Sequence, residues 1–279
     1  MKFVHFRHGG RNLLGLREGK EVRVLAETSL EDVLAKGIEL KDFAASHAKG
    51  GEILFEDQLE YLPLLRNPPK IICVGLNYAD HTKESNYEQP AYPTLFGRFN
   101  SSLVAHGAPM VRPRVSDSFD YEGEIAVVLK KGGRHIARSD ALACVAGYSL
   151  FNDGSVREYQ FKSPQWTVGK NFDGTGAFGP DLVTPDELAP GARGLRLETR
   201  LNGEVVQSAS SDDMVFDVVS LISIISEAIS LQAGDVIVTG TPSGIGWARN
   251  PKLLMRAGDV CEVSAESLGV LRNTIVDEA

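Results

Sequence analysis

The chain has 279 residues, 43% hydrophobic and 24% charged, the proportions of a folded globular protein that is neither disordered nor fibrous. Its formal net charge of −8 speaks against a nucleic-acid surface, which needs clustered lysine and arginine to displace counterions from phosphates. A local pocket can still take a small anion. Cys73, Cys144 and Cys261 are odd in number, far apart and without a CxxC spacing, so neither a disulfide framework nor a zinc site is expected. The first eight residues lack an apolar signal core, and no run reaches the roughly 18 apolar residues of a membrane span. A cytoplasmic protein with no membrane or nucleic-acid partner is expected.

Strands are expected at 3–6, 13–16 and 22–25, followed by a helix opening at Ser29 with Asp32 three residues on. Residues 1–65 read as a small α+β domain. Pro68 and Pro69 then interrupt any periodic pattern and mark the boundary to a second domain over 66–279. In that part 71–74, 125–129, 145–150, 195–201, 236–238 and 270–276 read as strands, and 77–85 has helical spacing. Asn202-Gly203 signals a two-residue hairpin between 195–201 and 204–206. Val215, Val218, Val219, Ile222, Ile225 and Ile229 form a helical stripe, predicting a long core helix over 213–231. The pattern is α+β and mostly β, not a Rossmann βαβ series.

Asp120-Tyr121-Glu122-Gly123-Glu124 leads into the apolar run 125–129. If the strand extends back through it, Asp120, Glu122 and Glu124 share one face. Three adjacent carboxylates at a buried strand mouth repel one another unless a cation neutralises them or their pKa values rise. Oxygen ligands without His or Cys suit Mg²⁺, Mn²⁺ or Ca²⁺ rather than Zn²⁺. Asp153 ends another strand-like run. His81 and Glu84, three apart, meet on one helix face, where a carboxylate orients imidazole and raises its basicity. Lys170 follows a glycine in an aromatic segment without the spacing of a phosphate loop, and the glycine-rich stretch 239–246 follows a strand without a helix after it. That stretch reads as a tight turn or an anion-binding loop of backbone N–H groups. Taken singly, each feature has a plainer reading as a solvated turn, surface ion pair or exposed charge.

In this order the segments NYADHxxE, DYExE, NDGSVREYQ, the GK after an aromatic stretch, and TGTPSGIG resemble the fumarylacetoacetate hydrolase family, over roughly residues 66–279. The resemblance implies a mixed β-sandwich or β-roll of the family's C-terminal type behind a small N-terminal α+β domain. It implies Mg²⁺ or Mn²⁺, with Ca²⁺ able to bind in place, on Glu122, Glu124 and Asp153. Asp120 matches the motif without being a ligand, and the further acid of larger members is missing from 73–78, so three protein ligands are expected. His81 with Glu84 would activate water, Lys170 and Gln160 would stabilise an oxyanion, Arg157 would help line the substrate site, and Thr241 would touch the substrate carboxylate.

The activity implied is cleavage of a C–C bond in an acylpyruvate of the fumarylpyruvate or maleylpyruvate class, in aromatic-compound catabolism, by a homodimer whose small-molecule partner is a 2-oxo acid. Oxaloacetate decarboxylation and isomerisation of a 2-oxo diacid use the same metal-enolate chemistry. His81 and Glu84 favour hydrolysis among these, and their presence ranks a non-catalytic metal-binding protein last. The distal pocket is expected from loops such as 85–93 and from the partner subunit.

Overall fold

The computed structural model describes residues 1–85 and 87–279, so Asn86, in the 85–93 loop, lies outside the described residues. Its frame is a twelve-stranded sheet. From one edge the main path runs Ile53–Phe55, Glu21–Ala26, Arg11–Glu18, Lys2–His8, Gly176–Val183, Val145–Asp153, Gly123–Leu129, Val236–Val238, Ile71–Gly75 and Thr94–Arg98. The first strand of the chain pairs antiparallel with Gly176–Val183, so the N-terminal strands extend the same sheet as the rest. A five-stranded sheet of Glu204–Ser210, Arg196–Leu201, Val260–Ala265, Gly269–Asp277 and Met110–Arg112 packs on the large sheet.

The run at 125–129 is uninterruptedly apolar because both its faces are covered. Ile125 and Val127 point into a core shared with Leu197, Val263 and Leu271 of the smaller sheet. Ala126 and Val128 point the other way, into a core completed by Leu30, Val33, Leu40 and Phe43 of the helices Leu30–Ala35 and Leu40–His47. Ser29 caps the first of these by accepting from Asp32 N. The hairpin at 202–203 forms, with Asn202 at φ 52° and Gly203 at φ 85°, the two positive values that a primed turn requires.

Among the strands that escape the periodicity reading are Thr94–Arg98, Gly176–Val183 and Val260–Ala265. The second holds two glycines and a proline, which hide it. The long helix is shorter than its stripe. It spans Val218–Ala228, preceded by a 3-10 turn at Ser211–Asp213. Residues 214–216 are held out of the helix because Asn77 accepts from Phe216 N at 2.8 Å and its carbonyl accepts from Val215 N. The helix then starts where Asp217 accepts from Ser220 N at 2.8 Å. No helix among the described residues is long and apolar enough to cross a membrane.

Asp217→Ala removes the cap of the helix Val218–Ala228, whose Val218, Leu221, Ile222 and Ile225 sit in the core. The expected loss is about 1 kcal/mol of stability, read as a lower denaturation midpoint with an unchanged slope.

Candidate active site

Two central strands deliver the acids. Gly123–Leu129 pairs antiparallel with Val145–Asp153, Gly123 opposite Asn152, so Glu124 at the start of one lies near Asp153 at the end of the other. Glu122 is drawn alongside because its N–H donates to Asn152 Oδ1 and its carbonyl accepts from Asp153 N. Carboxylate oxygens of Glu122, Glu124 and Asp153 lie within 4.8 Å of one another, and all three residues are buried. Asp120 is not with them. The chain changes sheets between Phe119–Asp120, which pairs with Ser155–Val156, and Gly123, so strand alternation does not carry through 121–122. Asp120 turns away to accept from Gly246 N and Trp247 N, each at 2.9 Å.

Buried cations thread these acids. Arg157, at the start of the short helix Arg157–Gln160, donates from Nε to Asp120 Oδ2 at 2.9 Å and from Nη1 to Glu122 Oε1 at 2.5 Å. Nη1 also donates to Gln160 Oε1. Lys170 Nζ donates to Glu122 Oε2 at 2.5 Å and Asp153 Oδ2 at 2.7 Å. Arg98, which sequence reasoning missed, is fully buried and binds Asp153, Thr175 Oγ1 and Ser102 Oγ. Nothing in an isolated arginine near the end of an unrecognised strand distinguishes it from a surface charge. Gln207 was also missed. It accepts from Gly123 N and donates to Thr241 Oγ1 and Pro242 O, locking the smaller sheet to the site.

His81 and Glu84 lie on the helix Ala79–Glu84, with His81 Nδ1 2.9 Å from Glu84 Oε1. The carboxylate of Glu84 in turn accepts from Gly244 N at 2.9 Å. Gly244 has φ 103°, and a Cβ there would meet Val206 O at 2.2 Å, so no other residue fits without moving the loop. Gly240 N donates to Glu124. The stretch at 239–247 is thus the anion-binding loop that its glycines suggest, and the anions it holds are the protein's own carboxylates.

His81, Glu84, Glu122, Glu124, Arg157 and Lys170 open onto one cavity of about 280 Å³. Gln160 and Thr241 line it too, although Thr241 Oγ1 already donates to Gly123 O at 3.0 Å. Asp153 lies behind Lys170, out of the cavity lining. The structure brings together the nine residues to which the resemblance assigns a role, and sets Asp120 apart from the ligand cluster.

The acids differ sharply in electrostatics. Burial alone would raise Glu122, but Lys170 and Arg157 outweigh it and hold the carboxyl at about 2. Burial pushes Glu124 well above the usual carboxylate range, reinforced by the negative charges of Asp153 and Glu122. Among the described residues, no cationic side chain bonds to Glu124. A cluster of three hard oxygen donors with one member lacking a counter-charge fits a divalent ion such as Mg²⁺ or Mn²⁺.

Residues 70–276 match the fumarylacetoacetate hydrolase C-terminal domain. The chain belongs to the fumarylacetoacetate hydrolase family. Human oxaloacetate tautomerase FAHD2A, a mitochondrial protein, is 41% identical over 226 residues, covering 80% of this chain and 72% of the relative. A fumarylacetoacetate hydrolase from the psychrophile Exiguobacterium antarcticum superposes with a TM-score of 0.88 at 36% identity, covering 100% of both chains. Maleylpyruvate hydrolase from Sphingobium sp. SYK-6, solved with manganese and pyruvate, shares the fold at TM-score 0.83 and 24% identity, again over 100% of both chains. The family fold is thus present over the whole chain, mostly β as expected.

Two substitutions separate holding a cation from holding the fold. Glu124→Gln should abolish Mn²⁺ binding in a calorimetric titration while leaving the melting temperature at or above that of the parent, because burial already opposes the charged form. Arg98→Met strips the buried Asp153 of a partner and should cost about 3–5 kcal/mol in denaturant unfolding.

Proposed function

We propose that this enzyme moves a proton at C3 of a small 2-oxo acid, interconverting its keto and enol forms. The observation that carries the reading is an oriented base, the His81–Glu84 dyad, opening onto the same cavity as the carboxylate centre. The size of that cavity, about 280 Å³, suits a compact substrate. The tautomerase activity named for a relative 41% identical over 80% of this chain supports it.

A divalent ion held by Glu122, Glu124 and Asp153 would supply chelation of a 2-oxo carboxylate and neutralise charge as C3 loses its proton. The chain's own side chains do the rest. His81 donates from Nδ1 to Glu84, which leaves Nε2 as the basic atom toward the substrate. Glu84, pinned by the Gly244 N–H, fixes the ring and stabilises the imidazolium after proton transfer. Lys170 and Arg157 hold Glu122 ionised, and Gln160, whose Oε1 accepts from Arg157, keeps its amide N–H groups for a substrate oxygen.

A second reading, hydrolysis of an acylpyruvate, is favoured by an apolar groove that continues from the cavity and gives room for an acyl group. There His81 would take a proton from water and hydroxide would add to the C4 carbonyl. The C3–C4 bond would break with its electron pair on C3, and the proton on His81 would pass to C3, giving pyruvate and a carboxylic acid.

Both readings are tested with Mg²⁺ or Mn²⁺ by following enol absorbance of oxaloacetate and acetylpyruvate while assaying pyruvate. Proton transfer predicts accelerated loss of the enol signal without pyruvate, whereas pyruvate from acetylpyruvate selects hydrolysis. In either case His81→Ala should lower kcat by about 10²–10⁴-fold. An unchanged kcat in that variant removes the dyad from the chemistry.

A further inference from the structure

We infer that the substrate carries an uncharged, apolar group beyond C3, as an aryl or alkyl acylpyruvate does, rather than a second carboxylate. The inference rests on the proposed function in one respect, that the 2-oxo acid end sits at the carboxylate centre. The rest of the cavity wall is largely apolar and holds five aromatic side chains, Tyr87, Phe96, Phe161, Trp166 and Trp247. Leu76, Tyr87, Phe96, Phe161 and Trp166 border both the cavity and a groove of about 670 Å³ running on from it. Trp166 is the rigid part of this wall. A Cβ on Gly75 would come within 2.3 Å of its ring, so the indole lies directly on the end of the strand Ile71–Gly75. Its other neighbours are the rings of Phe96 and Tyr87, at centroid distances of 5.6 and 6.3 Å. Trp247 closes the opposite side against Phe161, ring to ring at 6.1 Å.

The charges around this wall argue against a distal carboxylate. Among the described residues the cations lining the cavity, Arg157 and Lys170, are already bound to Asp120, Glu122 and Asp153. Lys162, the charged residue of the groove, rests its ammonium 3.6 Å from the centre of the Tyr159 ring, and Lys252, beside the wall, rests its own 3.0 Å from the centre of the Trp247 ring. Glu84, an acid outside the carboxylate centre, also lines the cavity. A second carboxylate placed here would face Glu84 and would have to draw one of these ammonium groups off its ring. A phenyl or alkyl group would instead bury apolar surface against three rings.

The test compares kcat/KM for benzoylpyruvate, acetylpyruvate, fumarylpyruvate and oxaloacetate with Mg²⁺. Benzoylpyruvate should lead both diacids by about tenfold or more. Trp166→Ala should reduce the benzoylpyruvate to acetylpyruvate ratio about tenfold, mainly through KM, and Phe161→Arg should swing preference toward fumarylpyruvate by a similar factor. A diacid as the best substrate, or ratios unmoved in both variants, overturns the inference while leaving the enol chemistry standing. If no 2-oxo acid is turned over, the functional reading fails separately. The wall is then judged by binding, where quenching of indole fluorescence by benzoylpyruvate at lower concentration than by fumarylpyruvate supports it and the reverse order overturns it.

Discussion

One loop decides where the acids of this site stand. Between Thr239 and Trp247 the backbone turns so that four N–H groups point at carboxylates belonging to three different segments. Gly240 takes Glu124 of the central strand, Gly244 takes Glu84 of the dyad helix, and Gly246 with Trp247 takes Asp120. Backbone amides have no rotamers to choose among, so each carboxylate is fixed as rigidly as the loop itself. The loop is anchored from behind, since Asn77 donates to the Thr239 carbonyl at 2.7 Å and Gln207 donates to the Pro242 carbonyl. Asn77 also holds the segment before the long helix. The same few contacts thereby set the register of base, cation centre and core.

Burying four acids and three cations side by side is expensive in desolvation, and such arrangements seldom stabilise a fold relative to apolar packing. Their use here is in positioning. Glu122 is gripped by both Lys170 and Arg157 and stays ionised, while Glu124 has an amide and, among the described residues, no cationic partner bonded to it. Two carboxylates with oxygens within 4.8 Å of each other are thus given opposite tendencies, one already matched with charge and one in need of it. That asymmetry suits a centre which gathers a doubly charged ion rather than a proton pair.

Much of this was legible in the amino-acid order because local rules and global fold agree there. The apolar run after Glu124, the dyad spacing of His81 and Glu84, and the positive-φ turn at Asn202-Gly203 each read correctly from neighbours in sequence. What was lost depends on partners far along the chain. Arg98 acquires meaning only through Asp153, 55 residues away, and Gln207 only through Gly123 and Thr241. Strand alternation put Asp120 on one face with Glu122 and Glu124, and it fails where the chain passes from the Phe119–Asp120 strand of one sheet to the Gly123–Leu129 strand of another. The stripe that promised a helix from 213 was real in its apolar spacing, but Asn77 and the cap at Asp217 shortened it.

The acids at the ends of Gly123–Leu129 and Val145–Asp153 hang from strands covered on both faces, whereas Tyr87, Phe161, Trp166 and Trp247 sit outside strands, on connecting segments. The two ends of the cavity therefore answer to different selective pressures. Changes near the acids disturb a core that the whole molecule shares, so drift there is purged along with foldability. Changes at half-exposed Phe161 touch fewer structural partners and cost less in foldability. A lineage built on this frame can diversify what it accepts while its reaction machinery stands still.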